Sequence, residues 1–495
     1  MSTPNTVLAP DPANRAAAVK VVARIGADQA PVSNAIEVHD PHDDTVIGYV
    51  PDLDTDQALD ALTRAHSAGR AWAATTPRNR ADILRRWYDL LVDNADEIAL
   101  LITLEMGKTL SDARAEVTYG ADFVRWYAEE ATHHTGTLRD APTGGARLLT
   151  RHAPIGLAVL ITPWNFPLAM ATRKIAPALA AGCSVVVKPA TLTPLTTLFA
   201  AQLAVEAGVP QDLIQTVTTS DAGSFSNAVL ADPRVRKVSF TGSTGVGKVL
   251  LRLAADNVLK SSMELGGNAP FVVFDDADLE RAIEGAVLAK MRNGGQSCIA
   301  ANRFLVQDGI ADAFVEGLTE RLAALNTGSG FATDVGLGPM VDHKAVRRLQ
   351  GLVDDAVSRG AKLLTDGSSY AGAGSYFGAT VLDQVPVDAH VVTTEIFGPI
   401  AAVQRFATQQ EAITRANDTE FGLAGYVFTE NLDRAFDVAD NLETGIVGIN
   451  QGVPSNAAAP FGGLKESGLG REGSAEGLEE YQEIRFYNLA LRGTH

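Results

Sequence analysis

The feature that most constrains this chain is the alternation of short, continuous apolar runs with stretches of helical spacing. Gly156 to Thr162 (GLAVLIT), Ser184 to Lys188 (SVVVK) and Val235 to Thr241 (VRKVSFT) read as buried strands. Met170 to Ala181 reads as a helix between the first two, and a helix opens near Val246. Strands joined through helices of that length imply right-handed crossovers, hence a parallel, doubly wound α/β sheet. After Glu264 the pattern restarts: strand Phe271 to Phe274, helix Leu279 to Asn293, strand Arg303 to Gln307, helix Ala311 to Leu325. That is a second α/β unit, in keeping with 495 residues, too many for one ordinary core. Upstream, Thr55 to Ser67 and Arg78 to Met106 have helical spacing, with Ile83, Leu84, Trp87, Leu90 and Leu91 on one face. The first thirty or so residues are expected to form a peripheral arm. The tail Glu483 to Leu491 (EIRFYNLAL) reads as a strand too late in the chain to join either core, so its edge is expected to pair outside its own domain, across subunits being one way.

Charge narrows the partners. A net charge of −18 without a Lys/Arg cluster argues against nucleic acid and against an anionic membrane surface. No run approaches the roughly 20 apolar residues of a membrane span. The first residues (MSTPNTVLAPDPANR) show no basic flank followed by an apolar run, so no signal peptide is expected. Two cysteines make no disulfide framework, and a reduced, cytoplasmic setting is expected.

Cys183, between an Ala-rich helix and a Val-rich strand, reads as a small buried hydrophobe. Cys298 ends Asn293-Gly294-Gly295-Gln296-Ser297-Cys298, where two glycines break the preceding helix and admit close backbone approach. A thiol there can face a cleft, although a lone cysteine proves no nucleophile. Glu264 precedes a Gly-Gly pair (MELGGNAP) between two apolar runs, a carboxylate held by backbone geometry or simply a loop residue. Asn165 lies in TPWNFP just past a strand's carboxyl end, where open α/β sheets bind ligands, and where asparagine also serves as turn chemistry. Together they form a chemical kit: a thiolate that attacks a carbonyl, an amide donor for the oxyanion, and a carboxylate that activates water. None of the nine His residues shows a pairing with Cys298 or a metal-ligand spacing, so no metal is expected.

Gly242-Ser243-Thr244-Gly245-Val246-Gly247-Lys248 follows a strand and opens a helix, so its N–H groups can meet phosphates. It nearly matches a P-loop, and FVVFDD at Phe271 mimics the accompanying strand and aspartate. Val249 stands where the magnesium-binding hydroxyl belongs, which sets a P-loop nucleotide hydrolase aside as the lesser alternative.

These residues resemble the aldehyde dehydrogenase superfamily over nearly the whole chain. The ordered set is TPWNFP at Thr162, VVVKPA at Val185, SFTGSTGVGK at Ser239, MELGGN at Met263, GQSC at Gly295, EIFGPI at Glu395 and PFGGLKESGLGREG at Pro460, with Glu264 and Cys298 34 residues apart. The resemblance implies an α/β, aldehyde dehydrogenase-like fold: a doubly wound cofactor domain (1–136 and 157–263), an α/β catalytic domain (264–482, part of its C-terminal stretch packing back on the cofactor domain) and a small oligomerisation element (137–156 and 483–495). It implies Cys298 as nucleophile, Glu264 as general base and Asn165 as oxyanion donor. For the cofactor, NADP or NAD, it implies Trp164 and Lys188 at the adenosine half and Gly242 and Ser243 at the pyrophosphate. Leu265 would sit beside the nicotinamide, with Glu395 and Phe397 at its ribose. It also implies a homodimer or homotetramer.

Within the superfamily the likeness is nearest to the succinate-semialdehyde dehydrogenases, in NFPLAMATRK at Asn165, MRNGGQSC at Met291 and the ending GLGREGS. The resemblance implies that Arg173 and Arg292 hold the substrate carboxylate, as bidentate guanidinium forks do; the plain alternative for each is a surface or salt-bridged arginine. Three departures matter. Thr191 stands where strictly NAD-dependent relatives often carry Glu, so NADP is expected to be accepted. Ala300 replaces a second cysteine found in some relatives, so no local disulfide switch is expected. The loop Val453-Pro454-Ser455-Asn456-Ala457 differs where one more carboxylate contact is expected, with Ser455 the candidate and Asn456 the reserve; glutarate semialdehyde or another short aldehyde is the alternative substrate.

Overall fold

The computed structural model describes residues 7–30, 34–133, 135–368, 370 and 373–491. Two parallel-type sheets organise it. The first has six strands in the spatial order Ile214–Thr216, Ser184–Lys188, Leu157–Ile161, Val235–Thr241, Lys260–Glu264 and Gly468–Leu469. All neighbours are parallel except the last, which runs antiparallel to Lys260–Glu264 with Gly468 opposite Glu264. The C-terminal stretch therefore returns to this sheet after visiting the second. Helices Ala169–Ala181, Leu195–Glu206, Ala222–Ala231 and Thr244–Asp256 are the crossovers. The central strands Leu157–Ile161 and Ser184–Lys188 are almost entirely apolar because both faces are covered.

The second sheet has seven strands, in the order Lys362–Thr365, Thr380–Asp383, Ile400–Phe406, Ala301–Gln307, Ala269–Val273, Ala424–Phe428 and Ile446–Ile449. Only the Lys362–Thr365 edge is antiparallel. Phe271, Phe304, Phe314 and Phe428 fill its core, with the Phe271 and Phe428 rings 4.7 Å apart.

Two expectations need correction. The N-terminal segment is no peripheral arm. Pro12–Arg24 is a helix, capped by Asp11, that buries Ala18, Val21 and Val22 in the main core. The spacing of those three is amphipathic, but small side chains make a faint signal. Arg78 to Met106 is not one helix either. Pro77–Asp93 ends at Asn94, and Ala95–Met106 begins there, ending on Gly107 in the left-handed region (φ 90°). Apolar spacing runs across the break because both helices bury a face in the same core: Trp87 Nε1 donates to Ala200 O at 3.0 Å, and Leu101 and Leu104 are fully buried. The tail joins neither core sheet, as expected, and its edge is paired outside both of them within the chain. Gln482–Ala490 pairs antiparallel along the whole of Ala146–Pro154, which also pairs with Leu138–Asp140 in a separate three-stranded sheet. The first six residues and the last four of the expected element 483–495 lie outside the described residues. No helix among the described residues is long and apolar enough to cross a membrane.

Candidate active site

The two sheets face a common cavity of about 920 Å³ from opposite ends of their strands. From the six-stranded sheet come segments just past strand carboxyl ends: Trp164 and Asn165 after Leu157–Ile161, Gly242 and Ser243 after Val235–Thr241, Leu265 after Lys260–Glu264. Crevices form there because neighbouring loops turn apart. The seven-stranded sheet contributes residues just before its strands: Cys298 before Ala301, Glu395 and Phe397 before Ile400, Phe421 before Ala424. Arg173, Arg292 and Ser455 line the same cavity. Glu264, Lys188 and Thr191 lie outside its lining; Glu264 and Lys188 are buried and Thr191 is half-buried.

Glycines build the junction. Asn293, Gly294 and Gly295 are all left-handed (φ 56°, 61° and 73°), which ends the helix and swings Cys298 toward the cavity. A Cβ on Gly295 would lie 2.3 Å from the Gly398 carbonyl oxygen, and one on Gly267 would lie 2.3 Å from that of Cys298. Gly267 N–H donates to Glu395 Oε1 at 3.0 Å. The Gly-Gly pair after Glu264 is thus where the segments bearing Glu264, Cys298 and Glu395 meet.

Asn165 is fixed from both sides. Its Nδ2 donates to the Gln296 carbonyl at 3.1 Å, and its own carbonyl accepts from Asn293 Nδ2 at 2.9 Å. The second Nδ2 hydrogen remains for another acceptor. Gln296 is anchored in turn, its Oε1 accepting from Val341 N–H at 3.0 Å. Glu264 is buried, and neither carboxylate oxygen has a hydrogen-bond partner among the described residues. Burial, then the nearby Glu472 charge, push its pKa well up; Arg173 and Lys174 offset only part. Burial pushes the Cys298 thiol up to about 12, with Arg173 the main opposing influence and the Glu395 and Glu264 charges adding to the rise.

The two arginines differ. Arg173 is 1% exposed, and its Nε lies 2.5 Å from Glu472 Oε2. Burial opposes its charge, but Glu472, with smaller help from Tyr119, Glu264 and Cys298, holds its pKa above the usual value. Glu472, also paired with Lys174, is held ionised by these two cations despite burial. Arg173 Nη1 has no partner among the described residues. Arg292 is half-buried, its guanidinium 5.3 Å from the Tyr119 ring and 5.2 Å from the Phe166 ring. The Tyr119 hydroxyl bonds Ser455 Oγ, linking Arg292 and Ser455 through one aromatic residue. Asn456, the reserve, accepts from Ala458 N–H at 2.9 Å within its own loop.

The other residues of the cavity include groups suited to a dinucleotide. Ser243 caps helix Thr244–Asp256 without a side-chain bond to it, leaving the first-turn N–H groups available, and a Cβ on Gly245 would meet nothing within 4 Å. Trp164 and Phe397 pack edge to face at 5.3 Å, and Phe397 has φ 47°. Lys188 Nζ has one long contact, 3.3 Å to the Pro189 carbonyl, and burial lowers its pKa. The P-loop alternative fails here on a second count: Lys248 Nζ is ion-paired with Glu466 at 2.7 Å, off the helix N-terminus.

Tyr119, Gln296, Arg348 and Glu472 went unremarked in the sequence. Arg348 lines the cavity and donates to the Glu395 carbonyl at 3.0 Å and to the Ile396 carbonyl at 2.6 Å. Gln296 and Glu472 stand inside quoted motifs, the available signal; Tyr119 and Arg348 sit on helices with no local mark.

A cavity lined by a thiol and an amide donor, with a buried carboxylate at the adjoining Gly-Gly junction and groups suited to a dinucleotide, is the equipment of an aldehyde-oxidising enzyme class. A sequence profile of the aldehyde dehydrogenase family matches residues 28–487, and the chain belongs to that family. It is 50% identical over 436 residues to a succinate-semialdehyde dehydrogenase of Paenarthrobacter nicotinovorans, covering 88% of this chain and 97% of that one. It is 46% identical over 457 residues to a succinate-semialdehyde dehydrogenase [NADP(+)] of Escherichia coli (strain K12), covering 92% and 95%. Among solved structures, an aldehyde dehydrogenase from Brucella melitensis biovar abortus 2308 superposes with a TM-score of 0.92 at 47% identity, covering 94% of this chain and 96% of that chain.

Proposed function

We propose that this chain oxidises succinate semialdehyde to succinate with NADP or NAD, through a thioester on Cys298. The observation that carries the reading is one cavity holding Cys298 and Asn165 together with Arg173, Arg292 and Ser455: a carbonyl-reactive thiol and two guanidinium groups suited to a carboxylate. Arg292 is without an ion pair among the described residues, and Arg173 is paired with Glu472 but has its Nη1 unpartnered there. Cys298 Sγ, as thiolate, attacks the aldehyde carbon, with Arg173 the cation that favours the thiolate. The free Nδ2 hydrogen of Asn165 and the Cys298 N–H take the oxyanion. NADP or NAD, when bound, supplies the two-electron acceptor that takes up the hydride. Glu264 then removes a proton from the water that hydrolyses the thioester; its raised pKa makes it a strong base once ionised.

Gly242 and Ser243 would hold the pyrophosphate, Trp164 and Lys188 the adenosine half, Glu395 and Phe397 the nicotinamide ribose, and Leu265 the ring's surroundings. Thr191 brings no carboxylate against a 2′-phosphate, which supports NADP. The six-stranded unit is the cofactor domain, the seven-stranded unit the catalytic domain and the three-stranded sheet the oligomerisation element of a homodimer or homotetramer. Exposed Ile484, Phe486 and Leu489 on the tail strand support the last assignment. Two unpaired cysteines support a cytoplasmic setting.

The test follows reduced-nicotinamide absorbance with succinate semialdehyde, glutarate semialdehyde and butanal, each with NAD and NADP, for the native protein and Cys298→Ala. Preference for succinate semialdehyde, abolished by Cys298→Ala with cofactor binding intact, is the expected result. Equal rates on butanal would remove the carboxylate anchor, and turnover by Cys298→Ala would remove the thioester.

A further inference from the structure

Lys108 and Glu116 form an ion pair fully sealed from solvent, Nζ to Oε2 2.5 Å, both side chains 0% exposed. Neither lines the cavity. Each also holds backbone of the loop that carries Asn165. Lys108 Nζ donates to the Asn165 carbonyl at 2.8 Å and lies 4.1 Å from the centre of the Phe166 ring. Glu116 Oε1 accepts from Leu168 N–H at 2.9 Å and from Ala169 N–H at 3.3 Å, at the start of the helix bearing Arg173. From Asn165 to Ala169, only Pro167 is untouched by this pair.

Burying two opposite charges is costly, and an apolar pair of similar volume often serves stability as well. An apolar pair cannot make directional bonds to a carbonyl on one side and two N–H groups on the other. We propose that Lys108 and Glu116 are a positioning pair for the chemical step: they clamp the backbone of Asn165 so that its free amide hydrogen meets the developing oxyanion. Asn293 Nδ2 shares the Asn165 carbonyl and ties the same point to the Cys298 loop, so the clamp sets amide and thiol in one frame. The inference rests on the reading of Asn165 as oxyanion donor.

The test is a mutant cycle on the full-length enzyme with NADP and succinate semialdehyde. Lys108→Met alone leaves Glu116 unpaired and can fail to fold, so the deciding variant is Lys108→Met/Glu116→Leu, which removes both charges. Single-turnover hydride transfer, the KM for NADP and the thermal midpoint are measured in it, in Asn165→Ala and in the triple variant. Asn165→Ala is expected to slow hydride transfer by about 10²-fold, as loss of one oxyanion donor does. The double variant is expected to slow it at least about tenfold through misplacement, with the KM for NADP unchanged. The triple variant is expected to be no slower than Asn165→Ala beyond about threefold, because the pair acts through that residue. A double variant at the native rate, or losses that multiply in the triple variant, overturns the positioning role alone. A native rate in Asn165→Ala overturns the oxyanion reading and the positioning role with it.

Discussion

Arg292→Ala separates substrate anchoring from structure, because of how the two cavity arginines are held. Arg292 rests against the Tyr119 and Phe166 rings and makes no ion pair within 4.0 Å among the described residues. Its removal breaks no ion pair, and Asp112, whose carboxyl its charge helps to keep ionised, retains the larger influence of Lys108. What is lost is one charge-assisted bond to the substrate carboxylate, worth about 1.5–3 kcal/mol. At about 1.4 kcal/mol per tenfold, that is a fall of about 10- to 150-fold in kcat/KM for succinate semialdehyde. Butanal has no carboxylate to lose and should stay within about threefold of the native value, a change of under about 1 kcal/mol. Arg173→Ala is the contrast. It breaks a buried pair and leaves Glu472 to Lys174 alone, a loss of about 3–5 kcal/mol in stability. Its activity should fall on both aldehydes. The assay is initial-rate absorbance of reduced nicotinamide over a range of each aldehyde, with denaturant unfolding of both variants. Equal losses on the two substrates for Arg292→Ala, or full activity toward succinate semialdehyde, would refute the reasoning.

Three further outcomes are expected. Glu264→Gln should complete hydride transfer and stall at the thioester, seen as acyl mass retained on intact protein; a fast, complete turnover would clear Glu264 of the base role. Alkylation of Cys298 without cofactor should climb steadily with pH toward about 12, since only the thiolate reacts and burial favours the thiol. Peptide mapping keeps it apart from the fully buried Cys183, and a plateau below pH 9 would contradict the assigned burial effect. Lys290 is buried with no hydrogen-bond partner among the described residues, and burial lowers its pKa from 10.5 to about 7. Its folded pKa lies below its unfolded one, so the unfolded chain binds more protons between these values and stability rises with pH there. Lys290→Met should therefore resist urea better than the native protein at pH 7, by on the order of a few kcal/mol, and the gap should narrow toward pH 10. A constant gap would count against it.

Much of the site was legible in order along the chain, because its parts are short motifs with local geometry. Gly294 and Gly295 announced a broken helix before Cys298, and TPWNFP announced a turn past a strand end. Strand positions such as Leu157–Ile161 and Ser184–Lys188 were legible because strands covered on both faces form short continuous apolar runs. The N-terminal helix was not, since Ala and Val at helical spacing in a polar segment resemble an arm until a core is there to receive them.

Taken alone, the amino-acid order determined which groups are present: a thiol, a carboxylate, an amide, a glycine-rich helix start and candidate arginines. Which groups meet was decided only in three dimensions. The Gly266–Gly267 pair shows its purpose once Cys298 and Glu395 approach it. Arg173 and Arg292 look equivalent in the sequence, yet only one is neutralised, by Glu472, almost 300 positions away. Lys108, unremarkable in EMGKTL, reaches Asn165 because the surrounding elements close over it and leave its side chain unexposed. Charge pairing and desolvation depend on distance through space, so they enter only when packing has set those distances.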